Sequence, residues 1–248
     1  MYDYLLGGKE NFTADRDAAE QLMATFPGIR NSARANRAFM IRAVRYLARA
    51  GLRQFIDLGT GIPTSPNVHE VAREHEPAAR VVYVDNDPVV VAHNRALRET
   101  QDGIISIDTD IRDTDGIRNH LQVRDLIDFN EPIAVLVISM LHFFENDDAS
   151  RIIAGVRTWM APGSYLALST GWREGMQDNE QVEIDRIYAQ TGARAINRSR
   201  EEIAAYFTDL ELIPPGLVPI NRWHANDPDL HNSLLGGIAY LTGDRHQT

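Results

Sequence analysis

The stretch Phe55-Ile56-Asp57-Leu58-Gly59-Thr60-Gly61 decides how the rest of the chain is read. Apolar residues lead into an acid, and two glycines then alternate with a threonine. That pattern is a buried strand entering a glycine-opened turn, with a helix-like run from Thr64 to His75 beyond it. A strand–turn–helix unit of this kind sets backbone N–H groups and a helix N-terminus beside a ligand. The glycines admit a ligand where a Cβ would collide.

Downstream, the same alternation repeats. Strands are predicted over Arg80 to Asp85, Ile104 to Ile107, Pro132 to Ser139 and Tyr165 to Ser169. Helices fall from Pro88 to Glu99, Asp147 to Met160 and Asn179 to Gln190, and a capping box at Ser199-Arg200-Glu201-Glu202 opens another to Phe207. Two last strands, Leu210 to Val218 and Leu235 to Leu241, bring the expected sheet to seven. The reading is a Rossmann-like α/β fold, a mostly parallel sheet with helices on both faces. Ligands in such sheets sit outside the carboxyl ends of the strands.

Upstream, the pattern is helical. Gly7-Gly8 makes residues 1–12 a loop or broken helix, and Thr13 can cap a helix that ends at Pro27-Gly28. A second helix runs from about Asn31 to Ala50, with Arg34, Arg37, Arg42, Arg45 and Arg49 on a face expected to be solvated. No Pro/Gly/Ser-rich linker divides the 248 residues, so one domain is expected, a helical cap over 1–51 on a core over 52–248.

The net charge of -10, with the acids scattered, argues against non-specific attraction to nucleic acid. Without cysteine there is no disulfide, thiolate metal site or Cys nucleophile, and no His/Asp/Glu cluster has metal-ligand spacing. Apolar runs such as Ile133 to Met140 are too short to span a bilayer, and Met1-Tyr2-Asp3-Tyr4 lacks the layout of a signal peptide. A cytoplasmic location is expected, and a homodimer stays open.

The ligand is narrowed by acids at matched strand ends. A dinucleotide site wants a third glycine where Thr64 stands, with Pro63 beside it. Asp85 ends the second strand, 24 residues after Gly61, where a carboxylate can accept hydrogen bonds from both ribose hydroxyls, with Asn86 next to it. Asp57 can meet the cationic amino group of a methionine moiety, directly or through a water. Asp110, just past the third strand, can accept from an adenine amino group. Each acid also has a plainer reading: Asp57 as a helix cap, Asp85 as a turn residue, and Asp110 in competition with Asp108 and Asp113. Jointly they point to S-adenosylmethionine, held by Asp57, Gly59, Thr60, Gly61, Asp85 and Asp110.

Larger blocks of sequence carry a resemblance. They are residues 3–12 (Asp3-Tyr4-Leu5-Leu6-Gly7-Gly8-Lys9-Glu10-Asn11-Phe12), 33–39 (Ala33-Arg34-Ala35-Asn36-Arg37-Ala38-Phe39), 56–64, 67–72, 82–88 and Leu141-His142-Phe143. In these the chain resembles an actinobacterial family of S-adenosylmethionine-dependent methyltransferases long catalogued as a domain of unknown function. The resemblance implies a class I methyltransferase fold with an added helical N-terminal segment, and S-adenosylhomocysteine as product. It implies no substrate. Where such families often carry Ala-Asp-Leu-Arg-Asp, this chain has Thr109-Asp110-Ile111-Arg112-Asp113, which keeps the acid in register and leaves adenine recognition to Asp110 and the Ile111 backbone.

Other candidates lie on the acceptor side and in the N-terminal segment. His142, three residues after the fourth strand, can be a general base, a substrate hydrogen-bond partner or a packed loop histidine. Trp172 and Trp223 can form an aromatic wall for the acceptor, or pack in the core. The N-terminal segment can close over the cofactor, with Asn11 and Arg34 or Asn36 near its carboxylate, or can serve stability alone. Methyl transfer to a small-molecule acceptor is the leading reading. A cofactor-binding sensor without transfer is the alternative.

Overall fold

The computed structural model describes residues 1–97, 101–176, 181–182, 184, 186–188, 194–225 and 232–243. Its strands are β1 (Gln54–Leu58), β2 (Arg80–Asp85), β3 (Ile104–Asp108), β4 (Ala134–Ile138), β5 (Tyr165–Gly171), β6 (Glu211–Leu212), β7 (Val218–Pro219) and β8 (Leu234–Tyr240). They form one eight-stranded sheet in the order β3-β2-β1-β4-β5-β8-β6, with β7 also on β8. From β3 to β5 every pairing is parallel, and β8 runs antiparallel to β5. Strand order reverses between β1 and β4, so the carboxyl ends of these two neighbours define the switch point where such sheets bind ligands.

The strand expected over Leu210 to Val218 is two short ones. Pro214 and Pro215 fall between β6 and β7, and neither supplies an N–H to a ladder. That is why the sheet has eight strands and not seven.

Residues alternate between the sheet faces. Ile56, Leu58, Val82, Val84, Val135 and Val137 join one apolar cluster, which includes Ile117 of α6 (Thr114–Asn119), Val123 of α7 (Leu121–Leu126) and Ile152 and Val156 of α8 (Asn146–Arg157). Phe55, Val81, Tyr83, Ala134 and Leu136 join the other. There they meet Phe39, Met40, Ala43, Val44 and Leu47 of α3 (Ile29–Arg49) and Val71 of α4 (Val68–Arg73). The period of two sends Asp57 to the α3 side of the sheet. The helix expected from Thr64 starts only at Val68, because Pro63 and Pro66 disfavour helical backbone in the residues before them.

Upstream, α1 (Tyr2–Leu6) ends at Gly7, whose φ of 87° takes the left-handed conformation of a helix stop. In α2 (Thr13–Thr25) the N-cap is Phe12, not Thr13, and the Asp15 carboxylate accepts its N–H at 3.1 Å. The arginines of α3 are not simply solvated. Arg37 donates to the carbonyls of Thr64 and Pro66, Arg42 to those of Trp223 and Ile220, and Arg45 pairs with Glu74. Arg34 is exposed.

Helices α6 and α7 were not expected from the sequence; α6 is capped by Asp113, which accepts the N–H of Gly116 at 2.9 Å. Helix α5 spans Pro88–Leu97, and α9 (Arg200–Ala204) opens on Ser199 as its capping box predicts. Several residues of the helix expected over Asn179 to Gln190 lie outside the described residues, and its described members are helical. Among the described residues no helix is long and apolar enough to cross a membrane.

Candidate active site

At the switch point lies a cavity of about 300 Å³. Its floor is the turn after β1, with Asp57, Gly59, Thr60 and Gly61, and the residues after β4, Ser139, Met140, His142 and Phe143. Its roof is the first half of α3, with Ser32, Asn36, Arg37 and Met40, and Met1, Tyr2 and Leu5 from the N-terminal segment.

The glycine turn is fixed by the sheet edge. The N–H groups of Gly59 and Thr60 both donate to the Val84 carbonyl, at 2.8 and 3.2 Å. Gly59 has φ of 72°, and a Cβ there would run into Met140. Gly61 has φ of 62°, yet a Cβ there would meet nothing within 4 Å. The first glycine is required by packing, the second by backbone conformation, with open space left beside it.

Hydrogen bonds join the predicted acids into a rim. Gly61 N–H donates to Asp85 Oδ2 at 2.9 Å, and Asp87 N–H to Asp85 Oδ1 at 3.0 Å. Burial pushes the Asp85 carboxyl up from its ordinary range, against the pull of these donors. Asn86 Nδ2 reaches Asp110 Oδ2 at 3.4 Å. Asp110 is engaged by Arg112, whose Nε donates to it at 3.0 Å and holds its carboxyl below the usual range. Ile111 has its side chain in the core. Asp85, Asn86, Asp110 and Ile111 are not in the cavity lining and continue outward from Gly61 along the strand ends.

Asp57 is 8 % exposed, a carboxylate buried in the cavity wall. Buried polar atoms with no partner among the described residues include Ser32 Oγ, Arg37 Nε and His142 Nδ1, all on lining residues. Unmatched buried polar groups are costly, so on a cavity wall these atoms leave room for a polar ligand to pair with them. The donors Ser32 and Arg37 suit a carboxylate, and Asp57 suits an amino group. The set fits the amino-acid end of S-adenosylmethionine.

The N-terminal candidates separate. Asn36 lines the cavity, but its side chain is committed: Nδ2 donates to Tyr2 Oη at 3.0 Å, and Oδ1 accepts from Ser169 Oγ at 2.6 Å. Ser169 Oγ in turn accepts the Ser139 N–H at 3.0 Å, so Asn36 ties α1 to the ends of β4 and β5. Asn11 lies off the lining and donates to Asp3 and to the Gly8 carbonyl. Arg34 also lies off the lining, and Arg37, one turn on, is the arginine in the wall. Ser32, Arg37 and Tyr2 were missed as site residues. The signal available was their helical spacing, since Ser32, Asn36 and Met40 recur every four residues on one face of α3.

The two tryptophans do not form an acceptor wall. Trp223 is 0 % exposed and sits edge-on to Phe39 and Tyr46 in the core, with centroids 5.6 and 5.7 Å away. Trp172 packs beside the other core cluster and under Arg200. Aromatic rings at the cavity include Tyr2 in the roof and the pair Phe143 and Tyr188, 5.9 Å apart. Burial raises the Tyr188 phenol to about 12 and lowers the His142 imidazole to about 4, the latter with help from Arg198, so both are neutral at pH 7.

Comparison with known proteins gives the family of the chain. Residues 1–242 match the model of a family described as S-adenosyl methyltransferase. A candidate methyltransferase from Thermobifida fusca is 39% identical over 98% of this chain and 93% of its own, with a TM-score of 0.92. A DUF574 family protein from Streptomyces avermitilis is 36% identical over 97% of this chain and 95% of its own, with a TM-score of 0.91. The 1,6-didemethyltoxoflavin N1-methyltransferase of Burkholderia thailandensis shares the fold at 13% identity and a TM-score of 0.52, over 94% of this chain and 92% of its own. No curated protein gives a significant match. The chain belongs to the S-adenosyl methyltransferase family, a class I methyltransferase fold whose cofactor is S-adenosylmethionine.

Proposed function

We propose that this enzyme transfers the methyl group to a small organic acceptor held between the glycine turn and the His142 turn. The observation that carries this reading is the cavity at the switch point, whose lining brings the buried Asp57 carboxylate together with His142, Phe143 and Tyr188. A volume of about 300 Å³, shared with the amino-acid end of the cofactor, suits a small molecule. The didemethyltoxoflavin enzyme of the same fold was solved with its small heterocyclic substrate and S-adenosylhomocysteine bound.

In this reading Asp57 holds the cofactor's amino group, Ser32 and Arg37 its carboxylate, Asp85 with Asn86 the ribose, and Asp110 with the Ile111 backbone the adenine. Bound S-adenosylmethionine supplies an electrophilic methyl on a sulfonium. The protein's part is to align the acceptor, exclude water and receive a hydrogen bond. His142 fits the last task better than that of general base, because an imidazole held near 4 is a weak base at pH 7. The 248 residues work as one unit, with Met1, Tyr2 and Leu5 capping the cavity as part of the N-terminal segment. Nothing in the family match favours a sensor that binds without transfer.

The test is calorimetric titration with S-adenosylhomocysteine, followed by incubation with S-adenosylmethionine and fractionated small-molecule extract. Saturable binding at one site per chain and a product 14 mass units heavier than its precursor are expected, about the mass of one added CH₂. Binding without any methylated product would return the sensor reading.

A further inference from the structure

Arg198 is the largest buried charge that the site described above does not use. It is 1 % exposed, and among the described residues it forms no salt bridge. A guanidinium is buried at such cost only when its N–H groups are matched. Here they converge on one turn. Nη1 donates to the Leu141 carbonyl at 2.8 Å, Nη2 to the Phe144 carbonyl at 2.7 Å, and Nε to Asn146 Oδ1 at 3.1 Å. That brackets the 3₁₀ turn Leu141–Phe143 from both ends.

The backbone completes the clamp. Ile196 N–H donates to the His142 carbonyl at 2.7 Å. Arg198 itself is bridged to the end of β5, its N–H donating to Gly171 at 3.2 Å and its carbonyl accepting from Arg173 at 2.9 Å. The rigid sheet therefore sets where the His142 turn stands. The imidazole is left with its buried Nδ1 unpartnered among the described residues. Its charged and titratable surroundings are Arg198, Tyr188, Asp57, Arg37 and Tyr2 around the cavity, and Glu145 after the turn, which pairs with Arg194.

We infer that Arg198 is a positioning residue that holds His142 at the cavity wall as the neutral tautomer with its proton on Nε2 and Nδ1 as hydrogen-bond acceptor, and that the matching methyl acceptor brings its own donor, an O–H or N–H. The inference rests on the methyl-transfer reading of this cavity. Burial, and after it the cation packed against the turn, disfavours a positive charge on the ring, so the ring accepts a hydrogen bond without becoming charged. An acceptor lacking such a donor would leave Nδ1 buried and unmatched.

The test uses the full chain loaded with S-adenosylhomocysteine and histidine labelled for NMR, with His142→Gln to assign the ring. Calorimetric binding of S-adenosylhomocysteine comes first, because its failure would overturn the methyl-transfer reading, whereas the steps after it address only Arg198 and His142. In the native protein His142 is expected to titrate near 4, and a midpoint near the ordinary 6.5 overturns the inference. Arg198→Met is expected to raise that midpoint measurably toward 6.5, with S-adenosylhomocysteine affinity changed less than about threefold. Arg198→Lys, which keeps the charge but not the fork, is the second variant if Arg198→Met does not fold. It is expected to keep the low midpoint while loosening the ring. An unmoved ring signal and midpoint in whichever variant folds overturns the clamp. Phenol and anisole are the probes of acceptor class. Phenol is expected to shift the His142 ring nitrogen and anisole not. Equal shifts, or none from phenol, overturn the donor requirement.

Discussion

The two sides of the cavity are built in opposite ways. On the proposed cofactor side, most groups come from the ends of successive strands, with Ser32 and Arg37 added from α3. Asp57 and the glycines follow β1, Asp85 ends β2, and Asp110 follows β3, tied by hydrogen bonds such as Gly61 to Asp85 at 2.9 Å. On the acceptor side one turn, Leu141–Phe143, is placed by residues more than fifty positions away in the chain, through Arg198 to Leu141 and to Phe144. The strand-end groups of the proposed cofactor site share one edge of the parallel sheet. Long-range construction leaves the acceptor open to change without disturbing the cofactor.

Breaking the cofactor side should have the largest effect. Gly59→Val puts a branched side chain at φ of 72° and into Met140. Together the left-handed penalty and overpacking should cost about 4 kcal/mol, read as a lowered denaturation midpoint. Gly61→Ala, with open space at its Cβ, should cost only the conformational part, about 1 kcal/mol.

A pH titration of stability addresses the acceptor side. His142 has a folded pKa near 4, below its ordinary 6.5. As pH falls below 6.5 the unfolded chain takes up the proton first, so stability is lost down to about 4 and no further. This one group should contribute about 3 kcal/mol to that slope, and His142→Gln should flatten it in denaturant titrations at pH 4.5 and 7.

Asp57→Asn sharpens the comparison, since it should weaken S-adenosylhomocysteine binding ten- to a hundredfold, about 1.4–2.8 kcal/mol, by loss of a charge-assisted hydrogen bond. The His142 midpoint should scarcely move, because its causes are burial and Arg198. The smallest effects are expected at Asn11→Ala and Arg34→Ala, both off the cavity lining. Their cofactor affinities should stay within about 0.5 kcal/mol of the native value, whereas Arg37→Ala should lose about tenfold in calorimetry.

Much of this was legible beforehand for a physical reason. A buried parallel strand is a short apolar run, and its carboxyl end must carry the turn residues, so β1, β2 and β3 announce themselves with their acids. The rest was hidden in proportion to chain separation. Nothing local distinguishes Arg198 from Arg194 or Arg200, yet it is buried while Arg194 reaches out to Glu145. Arg34 and Arg37 read alike on a helix face, and only packing against the loop after β1 shows that Arg37 belongs to the wall. For Trp223 an acceptor wall and a core position were both open from the sequence, and the fold draws it into the core against Phe39 of α3.

By itself the sequence determined the donor end of this enzyme. Periodicity sets the strands, glycine sets the turn after β1, and the acids at successive strand ends point to the cofactor, all from patterns read within short stretches of the chain. Only the tertiary structure decided the acceptor end. The position and charge state of His142 depend on burial beneath α1 and α3 and on a guanidinium delivered from beyond β5, and neither burial nor a through-space cation is a property of neighbouring residues.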